Sequence, residues 1–382
     1  MQSDQRISEL DGLRGIAVIM VLAWHFIGCM TNPALGGVNF ALYAATIFGR
    51  TGVDLFFVLS GFLIIGILID NRDSKNLFST FYIRRVARIF PAYFLLIIIY
   101  WICVIATGPT ASFNAAHGTL IHLGAQIGFA YNWLMAVDNG PVAHGFTVTW
   151  SIGIEEQFYL VAPLCIWLTP KRHLLKLLIG AAISAVIFRV VVYIAFPSHN
   201  LAPYILPFTR LDCLCAGGML AVMWRDQTTF QKLRKVAPNV MVILSLLVAF
   251  MVYKNITGDL FATMYYWGHT LLSVFYFFVV LSVISWRPSI FRMSFLRAAG
   301  TISYGLYLFH PLFISLLFQL AGRPERVESF ADALLAVSAL LIAVSFCATI
   351  YILVERPIRQ FGHSVTYSKP SHIRQVMIPT QA

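Results

Sequence analysis

Eleven long apolar runs constrain this chain more than any other feature. They lie near 13–30, 51–69, 89–107, 118–137, 150–168, 174–196, 205–224, 238–253, 266–285, 298–320 and 332–354. A helix needs about 20 apolar residues to cross the hydrocarbon core of a bilayer, and most of these runs reach that length. Of the 382 residues 59% are hydrophobic and only 11% charged, against about 45–50% and about 25% in soluble domains. Disorder and a water-bathed surface are thereby excluded. The expected fold is all-α and polytopic, with lipid as its solvent. No separate soluble domain and no internal repeat is visible, and the polar residues 358–382 read as a cytoplasmic tail.

The net charge of +11 does not imply nucleic acid, which needs basic residues gathered on one exposed face. Membrane proteins instead carry Lys and Arg in cytoplasmic loops, and that bias decides the path of the chain. The run 118–137 contains His122, Gln126 and Asn132, and 108–149 holds no Lys or Arg. If 118–137 does not cross, 21 of the 27 basic residues fall on the side of the N-terminus and four on the other. If it does cross, the split becomes 10 against 15. The first pattern fits about ten transmembrane helices with both termini cytoplasmic. It leaves 118–137 as a re-entrant or interfacial segment of a long outer loop. The first run is not expected to be a removable signal peptide, because Glu9, Asp11 and Arg14 precede it or lie in it and no clear cleavage site follows. The six cysteines lie within apolar runs and read as neither a disulfide framework nor a metal site.

Ionisable residues inside spans must face a bundle interior or a cavity, which makes them candidates for function. Arg14 and His25 are eleven positions apart, three turns plus about 20°, so they share a face and lie about 16 Å apart along the axis. Asp11 sits one turn before Arg14. This reads as a cationic anchor at the cytoplasmic mouth with an imidazole halfway across; the plainer reading is a topological anchor and a packed polar residue. Glu155 and Glu156 open the run that begins at Trp150, at a depth expected to be comparable to that of His25, where a carboxylate could orient the imidazole. They could equally be a helix N-terminal cap. His310 is expected near the depth of His25, with Tyr304 and Tyr307 below it. Arg210, Asp212 and Asp54 lie at outer helix ends, lining a cleft or pairing with each other. Arg85 and Arg88 share a helix face and could fork around phosphate oxygens; positive-inside topology or anionic-lipid contact is the alternative. There is no Gly-rich phosphate loop, no nucleophile elbow and no His/Cys zinc spacing, so no metal and no resident cofactor is expected.

Six segments stand in order over about 11–357: Asp11-Gly12-Leu13-Arg14-Gly15 with His25; Gly52 through Phe62; Arg84 through Tyr93; Trp150 through Leu160; Ile302 through His310; and Glu355-Arg356-Pro357. The set resembles the bacterial acyltransferase-3 family of integral membrane O-acyltransferases. Ile152 and Gly153 depart from it, standing where the family often has Leu and Ser. The resemblance implies a membrane acyltransferase domain over 1–357 in the bacterial cytoplasmic (inner) membrane. It implies transfer of an acyl group, usually acetyl from cytoplasmic acetyl-CoA, to a hydroxyl of an extracytoplasmic carbohydrate. It further implies that Arg14, Arg85 and Arg88 bind the donor, that His25 does the chemistry and that Glu155 is required. Asp54, Trp150, Arg210, Asp212, Tyr304 and His310 are the candidates for holding the acceptor. The second, esterase-like domain of some members is not expected, as the chain ends too soon.

Physical chemistry is compatible with that division of labour. Coenzyme A is anionic, so its phosphates should stay among arginines at the inner rim while its thin arm carries the thioester up a polar channel. A rival reading is a proton-coupled transporter or flippase for a glycan or acidic solute, with His25, Glu155 and His310 as a relay; the absence of a two-fold repeat disfavours it. Cysteines introduced within 108–149 should react with a membrane-impermeant reagent applied to intact cells. Labelling only from the cytoplasm would overturn this topology.

Overall fold

The computed structural model describes residues 7–107, 120–139, 144–258 and 260–368, and among these residues every regular element is a helix. The principal helices are α1 (Ser8–Ala23, continued by a π segment Trp24–Gly28), α2 (Gly52–Asp70), α3 (Leu77–Thr107), α4 (Thr149–Leu168), α5 (Leu174–Ala195), α6 (Leu211–Arg225), α7 (Gln227–Thr257), α8 (His269–Trp286), α9 (Ser303–Leu320) and α10 (Phe330–Ile350). A short α11 (Arg356–Ser364) follows. The chain is an all-α polytopic membrane protein.

Eight helical stretches are long and apolar enough to cross a bilayer, where the sequence suggested about ten. The two that fall short are α4 and α6. Helix α6 has 15 residues, about 22 Å at 1.5 Å per residue, less than a hydrocarbon core of about 30 Å. It is buried along most of its length, so other helices rather than lipid surround it. Helix α4 carries Glu155, Glu156 and Gln157, and its first turns, Thr149–Ile154, are buried. Only the buried α6 is spared full length; in α4 the polar residues adjoin its enclosed first turns, while Leu160, Val161, Leu164, Trp167 and Leu168 are exposed.

Contacts between helix ends show that the ten helices alternate in direction. At one end Arg225 pairs with Asp70 at 2.5 Å, Lys171 with Asp73 at 3.3 Å, and Arg72 donates to the Trp167 carbonyl at 2.7 Å. At the other end the Val327 amide donates to the Met30 carbonyl at 2.9 Å and the Tyr265 hydroxyl to the Asn200 carbonyl at 2.6 Å. Ile7 and His363 line one cavity at the first end, so the two ends of the described chain meet on the arginine-rich side.

Residues 120–139 do not cross. They form two short helices, Leu120–Ile127 and Tyr131–Asp138, joined at Phe129, whose backbone is left-handed with φ 55°. Phe129 stacks on Tyr93 at 4.3 Å and approaches Phe90 at 5.5 Å, only two residues beyond Arg88 on α3. The segment therefore enters the bundle deeply and returns on the same side, as a re-entrant element. Non-helical backbone at such depth must be satisfied by protein. Gln157 donates to the Phe129 carbonyl at 2.8 Å, and Tyr93 to the Gln126 carbonyl at 2.7 Å. Gly153 leaves room for this approach: a methyl group there would meet the Phe129 carbonyl oxygen at 2.8 Å.

Small residues let backbones meet at the centre. A methyl group on Gly61 of α2 would lie 1.9 Å from the Leu214 carbonyl oxygen, and one on Gly217 of α6 would lie 1.9 Å from that of Val58. Helix α1 does the same against the short helix Ser294–Thr301: Gly15 meets the Leu296 carbonyl, and Gly300 meets that of Asp11. With its glycine edge turned to that helix, α1 presents Asp11 and Arg14 to the interior. The residues that begin the expected tail are ordered as α11 packed on α3 and a following strap to Ser368. Gly61→Ala and Gly217→Ala should each destabilise the protein by about 1–3 kcal/mol, read as a lower melting temperature in detergent. Gly180→Ala, whose methyl meets nothing within 4 Å, should melt as wild type does.

Candidate active site

A cavity of about 690 Å³ enters the bundle from the arginine-rich end. Arg14 and Asp11 from α1, Ser60 from α2, Arg84, Arg85 and Arg88 from α3, and Glu155, Glu156 and Tyr159 from α4 line it, with Tyr304 and Tyr307 from α9. Arg359 and His363 from α11 complete the rim. The spacing of Arg85 and Arg88 places both on the inner face of α3. Arg14 donates to Asp11 at 2.6 Å, one turn away on the same helix. The Arg85 Nε is buried with no hydrogen-bond partner among the described residues, a guanidinium edge held ready for an acceptor.

Glu155 stands among these arginines rather than beside His25, contrary to the depth expected from the sequence. The Tyr159 hydroxyl, one turn along α4, donates to its carboxylate at 3.1 Å and also hydrogen-bonds the Ser60 hydroxyl. The reason is geometric. Ser151, one turn nearer the far end of α4, already meets Tyr307 at 2.7 Å between hydroxyl oxygens, so Glu155 lies about 6 Å below that level. Glu156 is adjacent, with one carboxylate oxygen buried and unpartnered among the described residues.

The cavity ends at Ser151 and Tyr307, and His25 does not line it. The expected polar channel thus stops one ring short of the imidazoles, closed by the Ser151–Tyr307 hydrogen bond and by Phe56, whose ring meets Tyr307 at 6.0 Å. Above Tyr307 lies His310 at 6.1 Å, and His310 meets His25 edge to face at 4.7 Å between ring centres. The two rings, from α1 and α9, therefore share one depth. His25 sits in the π segment Trp24–Gly28; such single-turn widenings recur at functional sites. Each ring is fixed by its own helix. The His25 Nδ1 lies 2.9 Å from the Val21 carbonyl oxygen, and the His310 Nδ1 lies 2.9 Å from that of Leu306. A carbonyl only accepts, so each Nδ1 carries the proton and each Nε2 offers a lone pair. The His310 Nε2 is buried and unpartnered among the described residues.

Of the residues proposed to meet the acceptor, Tyr304 lines the cavity and donates to the Ile89 carbonyl at 3.0 Å. The others lie toward the far end. Asp54 accepts from Arg210 at 2.6 Å and is joined by His269, which also contacts Arg210. Trp150 packs on Tyr204 at 4.5 Å, and Arg210 lies over that same tyrosine at 5.1 Å. Asp212 turns away from this group and pairs with Arg189 at 2.8 Å. Both ion pairs are almost wholly buried. Breaking such a pair costs about 3–5 kcal/mol, so they bind the helices together. Asp54 and His269 also border a small pocket of about 110 Å³ that includes Arg50.

Sequence reasoning missed Tyr159, Ser60, His269, Arg359 and His363 as site residues. Tyr159 follows Glu155 by four positions, a detectable helical pair. Arg189, in the middle of an apolar run, is the kind of residue whose burial demands a partner.

The geometry defines a membrane-embedded centre with a cationic mouth and a pair of imidazoles at its head. The family described as an acyltransferase domain matches residues 7–352, and the chain belongs to that family. The peptidoglycan O-acetyltransferase OatA of Listeria monocytogenes is 27% identical, with 94% of this chain and 57% of the relative covered. The O-acetyltransferase OatA of Staphylococcus aureus is 28% identical over 95% of this chain and 58% of its own. The chain thus spans somewhat under three fifths of the length of these two curated relatives. No solved structure matches. In protein with isotopically labelled histidine, nitrogen NMR should show His25 and His310 in the Nδ1-protonated tautomer. An Nε2-protonated ring at either position would contradict the assignment.

Proposed function

We propose that this protein is an O-acetyltransferase of a bacterial cytoplasmic membrane. It moves an acetyl group from acetyl-CoA, held at the arginine-rich end, to a hydroxyl of a carbohydrate that approaches from the other side. The observation that carries this reading is the cavity that runs from six guanidinium groups, Arg14, Arg84, Arg85, Arg88, Arg225 and Arg359, up to the tyrosine beneath the paired imidazoles. Phosphate groups are recognised by guanidinium forks, and a weakly nucleophilic hydroxyl needs a general base within hydrogen-bond reach. Family membership and the names of the relatives support acetyl as the group, and a peptidoglycan-like carbohydrate as the acceptor class.

In this reading the arginines keep the phosphates in the cavity, and the arm of the coenzyme passes Glu155 and Tyr304 toward Tyr307. The His25 Nε2 takes the proton from the acceptor hydroxyl as its oxygen bonds to the thioester carbon. The C–S bond breaks, the coenzyme leaves as thiolate, and the proton on His25 passes to that sulfur. The Val21 carbonyl, accepting from Nδ1, supports the imidazolium that forms between these steps. His310 holds the His25 ring in place, and Tyr307, released from Ser151, is the donor nearest the reacting carbonyl. The lone pair of Nε2 also suits a route in which His25 carries the acetyl group itself, distinguished by trapping the labelled protein.

Mass spectrometry of envelope glycans tests the reading. Cells with the gene should carry acetylated glycans that cells without it lack. His25→Ala should lower acetylation at least about 100-fold while the protein stays folded and inserted. Unchanged acetylation in that variant would remove His25 from the mechanism.

A further inference from the structure

Helix α11 follows the last span, yet it forms one wall of the cavity mouth. Arg359 and His363 lie four residues apart on one face of it and both line the cavity. Opposite them, α3 offers Arg84 at the rim and Arg88 one turn, about 6 Å, deeper. Four guanidinium groups, Arg84, Arg85, Arg88 and Arg359, line the same cavity as the His363 ring. Such a concentration of positive groups asks for an anion. Two cavity arginines are already answered by carboxylates, Arg14 by Asp11 at 2.6 Å and Arg225 by Asp70 at 2.5 Å.

This wall is built in. Gly362 packs so closely on α3 that an added methyl would lie 2.6 Å from the Cβ of Ala87. Beyond α11 the chain straps back over the start of α3. Arg84 donates to the Val365 carbonyl at 3.0 Å, and its guanidinium lies over the Tyr367 ring at 4.8 Å. Asn76 latches the strap three times. Its side chain donates to the Thr366 carbonyl at 3.0 Å and accepts from the Ser368 amide at 2.7 Å and hydroxyl at 2.8 Å.

The positive groups thus form two tiers, Arg85 and Arg88 beside Glu155 and Glu156, and Arg84, Arg359 and His363 at the rim. A ligand with two separated phosphate groups fits two tiers. Resting on the reading of acetyl-CoA as donor, we propose that α11 is part of the donor site. Arg359 and His363, facing Arg84, hold the monophosphate on the ribose of the coenzyme, and the diphosphate that bears the arm lies deeper between Arg85 and Arg88. The order follows from connectivity: the arm must continue inward from the diphosphate, which leaves the ribose phosphate outermost. The rim is then where this protein distinguishes coenzyme A from thioesters that lack that phosphate, and Asn76 and Gly362 are positioning residues that keep α11 over the mouth.

The test is binding of coenzyme A and of 3′-dephospho-coenzyme A to the full-length protein in phosphatidylcholine nanodiscs, by calorimetry. Wild type should bind coenzyme A about tenfold more tightly than the dephospho form, the worth of one charge-assisted contact. Arg359→Ala and Gly362→Ala should remove that preference by weakening coenzyme A alone. An unchanged preference in Arg359→Ala overturns the proposal, as does an equal loss for both ligands. If Arg359→Ala alters binding to phosphatidylglycerol vesicles and not to coenzyme A, the rim is a lipid anchor and the proposal falls. If wild type binds neither coenzyme form, the donor reading itself fails; if it binds both equally, only the role of the rim does.

Discussion

A guanidinium or carboxylate taken into hydrocarbon must be answered by an opposite charge or left open to water, and this structure uses both solutions in different places. Toward the far end, Asp54 with Arg210 and His269, and Asp212 with Arg189, are sealed among α2, α5, α6 and α8. Desolvation makes such groups expensive and their loss of a partner more so, so the pairs fix which helices touch and in what register. On the other side the arginines of α1, α3 and α11 face a cavity. The backbone contact of α2 with α6 at Gly61 and Gly217 brings the sealed half together, and α2 also lines the cavity with α1, α3, α4 and α9.

Above the cavity, α1 and α9 meet at the His25–His310 pair. Each imidazole is tied to its own helix by a backbone carbonyl four residues back, so neither depends on a carboxylate for its orientation. That frees Glu155 for a different place, bonded to Tyr159 within the field of the arginines. Three π segments occur among the described residues, and each holds or adjoins an ionisable group: half-buried His25 in the first, buried His269 after the second and buried Glu355 in the third. One extra residue in a turn re-aims a side chain without breaking the helix.

Much of this was legible in the sequence. The spans follow from apolar length and the re-entrant segment from the distribution of Lys and Arg. Three things were not legible, for identifiable reasons. Nominal membrane thickness sets Glu155 too close to His25, because it does not reveal that Ser151, a full turn nearer the far end of α4, already stands level with Tyr307. The partner of a buried charge cannot be read from one chain position, so Asp212 was grouped with Asp54 when Arg189, 23 residues earlier, is its mate. The polar composition after the last span suggested a tail, whereas one glycine, Gly362, lets that segment dock on α3. A single small residue against a complementary surface carries no compositional signal.

The cavity also reshapes the electrical landscape of the bilayer. Where a polar, cation-lined cavity reaches halfway through an insulator, the transmembrane voltage no longer falls evenly across the full thickness; it is compressed into the dry layer that remains. Here that layer begins at Tyr307 and contains both imidazole rings. A charge crossing the whole membrane gains about 2.3 kcal/mol per 100 mV, and a charge that moves only within this thin layer collects a disproportionate share of it. The energised state of the cell thus bears directly on the layer that holds the two imidazoles.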